Sequence, residues 1–149
     1  MAVRAGAPKP DISSPDALKR SLLAAKSISY ADPAKGGASG VQFAHVLERL
    51  GIADEMKAKT KLVPGPEAPD LAARGEVEIA VAMVPEILPV RGVDLVGALP
   101  QELQNITDFS YVAGTLVAAK QMAIAKALVQ FITGQAAAPI VKSKGLEPG

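Results

Sequence analysis

The sequence predicts an α/β fold, a three-layer sandwich with a mostly parallel sheet. Strand-like and helix-like segments alternate along the chain. One stretch, Val77–Val84, is apolar at every position but Glu78, the pattern of a strand covered on both faces. The chain has 149 residues, 49% of them apolar, which is enough to bury one core of ordinary size.

The elements follow in order. Ser13-Ser14-Pro15-Asp16 predicts a helix start: a serine caps it, Pro15 suits its first turn and Asp16 suits its positive end. Leu18, Leu22 and Leu23 supply its apolar stripe, to about Lys26. Ser27–Ala31 reads as a short strand, and the Gly-rich run from Asp32 to Gly40 as a loop. Val41–Leu50 is a helix with Phe43, Val46, Leu47 and Leu50 on one face. Gln42, His45 and Arg49 fall on its polar face, and Gly51 stops it. Asp54–Lys59 is a short helix and Leu62-Val63 a short strand before Pro64-Gly65-Pro66. Residues 67–74 are helical, with Pro69 limiting the start. After the strand at Val77–Val84 come a turn or one helical turn at Pro85–Val90 and a strand at Val93–Leu99. Asp108–Val117 favours strand, through Phe109, Tyr111, Val112 and Thr115. Ala118–Thr133 and Gln135–Lys144 are helices, the second broken near Pro139.

Composition excludes several function classes. A net charge of +1 leaves no broad electrostatic case for nucleic acid. No apolar run approaches the ~18 residues of a membrane span. With no cysteine and one histidine there is no disulfide, thiolate nucleophile or His-rich metal cluster, and no cofactor is expected. Met1–Gly6 lacks the apolar stretch of about 7–15 residues that a secretion signal needs. A cytoplasmic location is therefore expected if Met1 is the natural start.

The segment with chemical potential is Gly36-Gly37-Ala38-Ser39-Gly40, between a strand and a helix. Glycines let backbone N–H groups converge at a helix start that already carries partial positive charge, which suits a small anion. Ser39 either adds a hydroxyl donor or simply caps the helix. There is no Lys-Ser/Thr phosphate-loop ending and no full dinucleotide glycine pattern. Tyr30, ending its strand, either lines a site at the carboxyl edge of the sheet or packs in the core. His45 reads as a solvated surface residue. Glu76 and Glu78 share a strand face and, with Glu86, read as solvated carboxylates. Met83 and Met122 read as core, and no Ser-His-Asp set is present to defend.

Taken together, Ser29-Tyr30-Ala31-Asp32-Pro33, Ser39-Gly40-Val41, Leu47-Glu48-Arg49-Leu50-Gly51, Ala73-Arg74-Gly75-Glu76, Gly92-Val93-Asp94-Leu95-Val96 and the ending Lys144–Gly149 match one family in order and spacing. The chain resembles the C-terminal half of type 2 periplasmic solute-binding proteins, near the molybdate-binding proteins of ABC transporters. The resemblance implies two α/β lobes joined by crossover strands, with an anion in the cleft. Residues 1–10 would be the first crossover, 11–105 the second lobe, and 106–149 the return crossover and C-terminal helices. The segment building most of the first lobe is absent, and with it the two serines that hold the oxyanion in the family. The family's site positions fall on Ser39 and its neighbours Gly37, Ala38 and Gly40, on Gly65, whose neighbour Pro66 has no N–H, and on Met83. Met83 stands where the family has a tyrosine, which removes a hydroxyl donor and weighs against molybdate or tungstate.

Three functions stay open. One is binding of a small anion, an oxyanion or small carboxylate, for delivery to an ABC permease in the periplasm. Another is an enzyme on this scaffold, doing acid/base chemistry on a small organic acid. The last is a truncated half with no transport role. A homodimer is expected through the apolar stripes Leu116, Ala119, Ala123, Ala127, Val129–Phe131 and Ile140-Val141, since a patch of that kind rarely stays in water.

Overall fold

The computed structural model describes residues 1–104 and 111–147. The chain divides into two compact units, Met1–Asn105 and Ile106–Gly149.

The first unit is built on a five-stranded sheet. Its strands are β1 (Ala2–Arg4), β2 (Ile28–Ala31), β3 (Thr60–Val63), β4 (Ile79–Val81) and β5 (Val93–Leu95), in the spatial order β3-β2-β4-β1-β5. β2 pairs in parallel with β3 and β4, while β1 runs antiparallel to both β4 and β5. Four strands therefore point one way and β1 is reversed. The helices are α1 (Pro15–Ala24), α2 (Ala38–Arg49), α3 (Ala53–Lys57), α4 (Ala68–Ala73) and α5 (Val84–Ile87).

Strand alternation divides the core into two layers. Ile28, Tyr30, Ile79 and Val81 face one side, where they pack with Leu18 and Leu22 of α1, Phe43, Val46 and Leu47 of α2, and Met56 of α3. Ala80 faces the other side, against Ala68, Leu71 and Ala72 of α4 with Val63 and Val77. Apolar helices on both faces make the three layers that the alternating pattern predicts.

Local chemistry explains most element ends. Ser14 caps α1, its hydroxyl accepting the Ala17 N–H at 3.2 Å, and Pro15 fills the first turn. Ala17, Leu18 and Leu22 are buried in α1, whereas Leu23, expected in the stripe, is exposed. β2 is buried throughout because it is covered by strands on both sides and helices on both faces. β3, at one edge, exposes Lys61 and Leu62, and the charge guards that edge.

Other boundaries differ from the sequence reading. α2 starts at Ala38 rather than Val41, because packing of Gly40 on β2 overrides the low helix propensity of that glycine. β4 is shorter than Val77–Val84, since its partner β2 pairs with it only over Ile28–Tyr30 and the N–H groups of Glu78 and Ile79 both turn to the Ser27 carbonyl. Glu76 and Glu78 thus precede the strand and share no strand face. β5 covers only the first half of Val93–Leu99, followed by a bond from Val96 N–H to the Met1 carbonyl.

In the second unit, residues 108–110 of the expected Asp108–Val117 strand lie outside the described residues, and none of 111–117 is in a strand. A β-favouring run gains its stability from a pairing neighbour, so strand propensity alone does not make a strand of residues 111–117. α6 spans Met122–Thr133 and α7 spans Ala138–Ser143, with Pro139 in the first turn of α7, where its missing N–H is tolerated. Leu116 and Ala119 precede α6. Its exposed large apolar residues are Ile124, Leu128, Phe131 and Ile132, of which Phe131 belongs to the expected stripe; Ala123 and Ala127 of that stripe are exposed too, as is Ile140 on α7. Among the described residues no helix is long and apolar enough to cross a membrane.

Candidate functional site

Because β3, β2 and β4 are adjacent and parallel, the loops that follow them open at one edge of the sheet. The carboxyl edge of such strands is where α/β folds place ligands. The three loops contain Gly36–Gly40, Gly65 and Met83 respectively, so topology brings six of the seven sequence-nominated residues to one edge.

The loop after β2 is the most developed. The Asp32 carboxylate accepts the Ala34 N–H at 2.9 Å and starts a 3₁₀ turn over Pro33–Lys35. Gly36 then reverses the chain at φ 76°, a left-handed conformation with little cost only for glycine. Gly37 caps α2 through its carbonyl, which accepts the Val41 N–H at 3.0 Å. The N–H groups of Gly37, Ala38, Ser39 and Gly40 have no acceptor among the described residues. The last three are first-turn donors that a helix leaves unpaired, and they project beyond its positive end. Ser39 is half-buried and sits inside the first turn, so its hydroxyl is not the cap.

Gly40 fixes where these donors sit. It is buried against the end of β2, and a Cβ there would overlap the Ala31 carbonyl oxygen, lie 2.7 Å from the carbonyl carbon and 3.3 Å from the Ala31 Cβ. Only glycine lets the start of α2 rest on the backbone at the carboxyl end of β2.

The neighbouring loops contribute less. Gly65, at φ 55° between two prolines, presents its own N–H but Pro66 has none to add. Met83 caps α5 and donates its N–H to the Glu86 carboxylate at 2.9 Å, which takes that amide away from any ligand. Glu86 is thus engaged rather than simply solvated.

Tyr30 takes the packing role of its two readings. Its ring meets Phe43 edge-on, with centroids 5.1 Å apart and planes at 70°. It also lines a cavity of about 120 Å³ with Leu47, Ala53, Lys57, Thr60 and Leu62, a lining that includes none of residues 36–40. Burial, then the nearby Asp32 charge, raises the Tyr30 phenol above its ordinary pKa.

The remaining candidates behave as surface groups. His45 Nδ1 lies 3.1 Å from Glu48 Oε2 with both side chains exposed. Glu76 is held below the usual carboxylate range by a hydrogen bond from Arg74 and a second from Lys61. The Glu78 carboxylate accepts the Lys26 N–H at 2.7 Å. Among the described residues no cluster of His, Asp or Glu could hold a metal ion. Gln42 and Arg49, on the polar face of α2, donate to the carbonyls of Leu103 and Glu102. Their seven-residue spacing, two helical turns, is the signal that could have paired them.

Comparison with known proteins agrees with this architecture. Over residues 1–147 the chain matches the family described as bacterial extracellular solute-binding protein. A curated relative, "Aconitate isomerase" from Pseudomonas sp, is 37% identical over 150 residues, covering 99% of this chain and 55% of the relative. The chain thus spans about half the length of that relative. A solved structure, the substrate binding domain of a putative molybdenum ABC transporter from Clostridium difficile, superposes with a TM-score of 0.69 at 14% identity, over 99% of this chain and 62% of that one. At that identity the likeness speaks for the fold alone. The chain belongs to the bacterial extracellular solute-binding protein family, and its sheet and flanking helices form a partial type 2 periplasmic-binding-protein fold.

Proposed function

We propose that the chain supplies one side of a site for a small organic polycarboxylate, in a solute-binding protein that works outside the cytoplasm with an ABC permease. The observation that carries this reading is the run of four N–H groups, of residues 37–40, unpaired among the described residues at the start of a helix fixed to the carboxyl edge of the sheet. A carboxylate oxygen accepting two of them would gain charge-assisted hydrogen bonds, each of about 1.5–3 kcal/mol. The relative's name supports a tricarboxylate such as aconitate. Met83, in place of a hydroxyl-bearing residue, supports a carboxylate over molybdate. Calorimetry with trans-aconitate, citrate and molybdate tests the choice. Heat from the tricarboxylates and none from molybdate at equal concentration is expected; the reverse order would overturn it.

The identity to a protein named as an isomerase favours a second reading, acid/base catalysis on the same acid. Isomerising an unsaturated acid moves one proton from carbon to carbon and needs a carboxylate or phenol near the substrate. Asp32 and Glu86 lie at the right edge but are each held by a backbone N–H. NMR of aconitate incubated with the protein in D₂O separates the readings, since turnover would exchange a carbon-bound proton.

We also propose that the chain on its own self-associates through α6, whose exposed Ile124, Leu128 and Phe131 recur at helical spacing.

A further inference from the structure

One flank of α2, beside its core face, holds the segment by which the chain leaves the first unit. Gln42 Nε2 donates to the Leu103 carbonyl at 3.3 Å, and Arg49 Nη2 donates to the Glu102 carbonyl at 2.8 Å. Both carbonyls belong to the 3₁₀ turn Gln101–Leu103, just before the unit boundary after Asn105. The Leu103 side chain is buried in the same apolar layer as Phe43 and Leu47 of α2. The turn is closed by Leu103 N–H on the Pro100 carbonyl at 2.9 Å and Gln104 N–H on the Gln101 carbonyl at 3.2 Å.

The same helix carries the candidate anion donors at its start and rests on the Ala31 carbonyl through Gly40. A helix is stiff over twelve residues, so its two attachments move together. We infer that Gln42 and Arg49 are positioning residues that couple occupancy of the α2 N-terminus to the order of residues 101–104. This rests on the anion reading of that terminus. A ligand can shift the exit segment only if it favours one placement of α2 over others, and the two side chains are the polar links that would transmit that preference.

Backbone amide exchange followed by NMR, with trans-aconitate as the probe, tests this. In the wild-type chain, saturating trans-aconitate should slow exchange of the Leu103 and Gln104 amides about fivefold, a coupling of ordinary allosteric size. The double variant Gln42→Ala/Arg49→Ala should lose that ligand-dependent difference while the Ser39 and Gly40 resonances still shift. Arg49→Lys on its own, which keeps a donor in reach of Glu102, should retain it. A merely structural role would change exchange equally with and without the anion. Gln42→Ala alone, losing only the longer bond, guards against global unfolding. Shifts at 37–40 with unchanged exchange at 103 and 104 would overturn the coupling alone. No shift at 37–40 would overturn the anion reading and the coupling together.

Discussion

Replacing Gly40 with alanine tests how the site is positioned. The added Cβ would overlap the Ala31 carbonyl oxygen and lie 2.7 Å from the carbonyl carbon, both backbone atoms of a strand buried on every side. Neither can rotate away, so the start of α2 must retreat by on the order of 1 Å to restore ordinary contact distances. α2 carries Phe43, Val46 and Leu47 into the core, and Phe43 is seated on Tyr30. A gap of that size forfeits about a quarter to a half of each dispersion contact it opens. Overpacking strain of this kind costs about 1–3 kcal/mol, and alanine recovers part of it by its better helix propensity. A net loss of about 2 kcal/mol is expected, seen in urea unfolding by circular dichroism as a midpoint lowered by about 1 M with unchanged slope. Gly36→Ala, at φ 76° with nothing within 4 Å, isolates backbone strain and should cost about 1–2 kcal/mol. A Gly40→Ala unfolding free energy within about 0.5 kcal/mol of wild type would refute the close approach of α2 to β2.

Other expectations follow from the same packing. The Ser29 hydroxyl is buried in β2 without a hydrogen-bond partner among the described residues, so Ser29→Ala should be neutral or stabilising by up to about 1 kcal/mol, and a clear loss in urea unfolding would contradict that. The Tyr30 phenol is raised in the folded state, so above the ordinary value of 10.0 the folded chain holds its proton more tightly than the unfolded one. Its contribution is complete below pH 10 and declines as pH rises through the folded value; wild type should lose stability against Tyr30→Phe above pH 10, and parallel curves would refute this. Sedimentation at micromolar concentration should show a dimer that Leu128→Glu reduces to a 15.3 kDa monomer, whereas a wild-type monomer would remove the self-association proposal.

What the sequence revealed follows from how local each signal is. Ser14-Pro15-Asp16 starts α1 because capping needs only neighbouring residues. The apolar run around Ile79–Val81 marks a central strand because burial on both faces leaves an unmistakable composition. The loops after β2, β3 and β4 were nominated from glycines, prolines and the family resemblance, and the parallel pairing brings them to one edge. α2 starts earlier than Val41 because the low helix propensity of Gly40 is offset by its packing on Ala31, a tertiary contact that composition does not reveal. The bonds from Gln42 and Arg49 were missed for a similar reason: their partners are backbone carbonyls more than fifty residues away, which carry no sequence signature. The reversed direction of β1 is likewise set by pairing with β4 and β5, not by anything within Ala2–Arg4.

The central claim is that the amides of residues 37–40 at the start of α2, without an acceptor among the described residues, bind a carboxylate. Titration of the ¹⁵N-labelled chain with trans-aconitate, followed by two-dimensional NMR, tests it most directly. The amide resonances of Gly37, Ala38, Ser39 and Gly40 should move together along one saturating curve, with those around Tyr30 and the cavity beside Lys57 little changed. Saturating shifts centred on that cavity, or none at 37–40, would contradict the account.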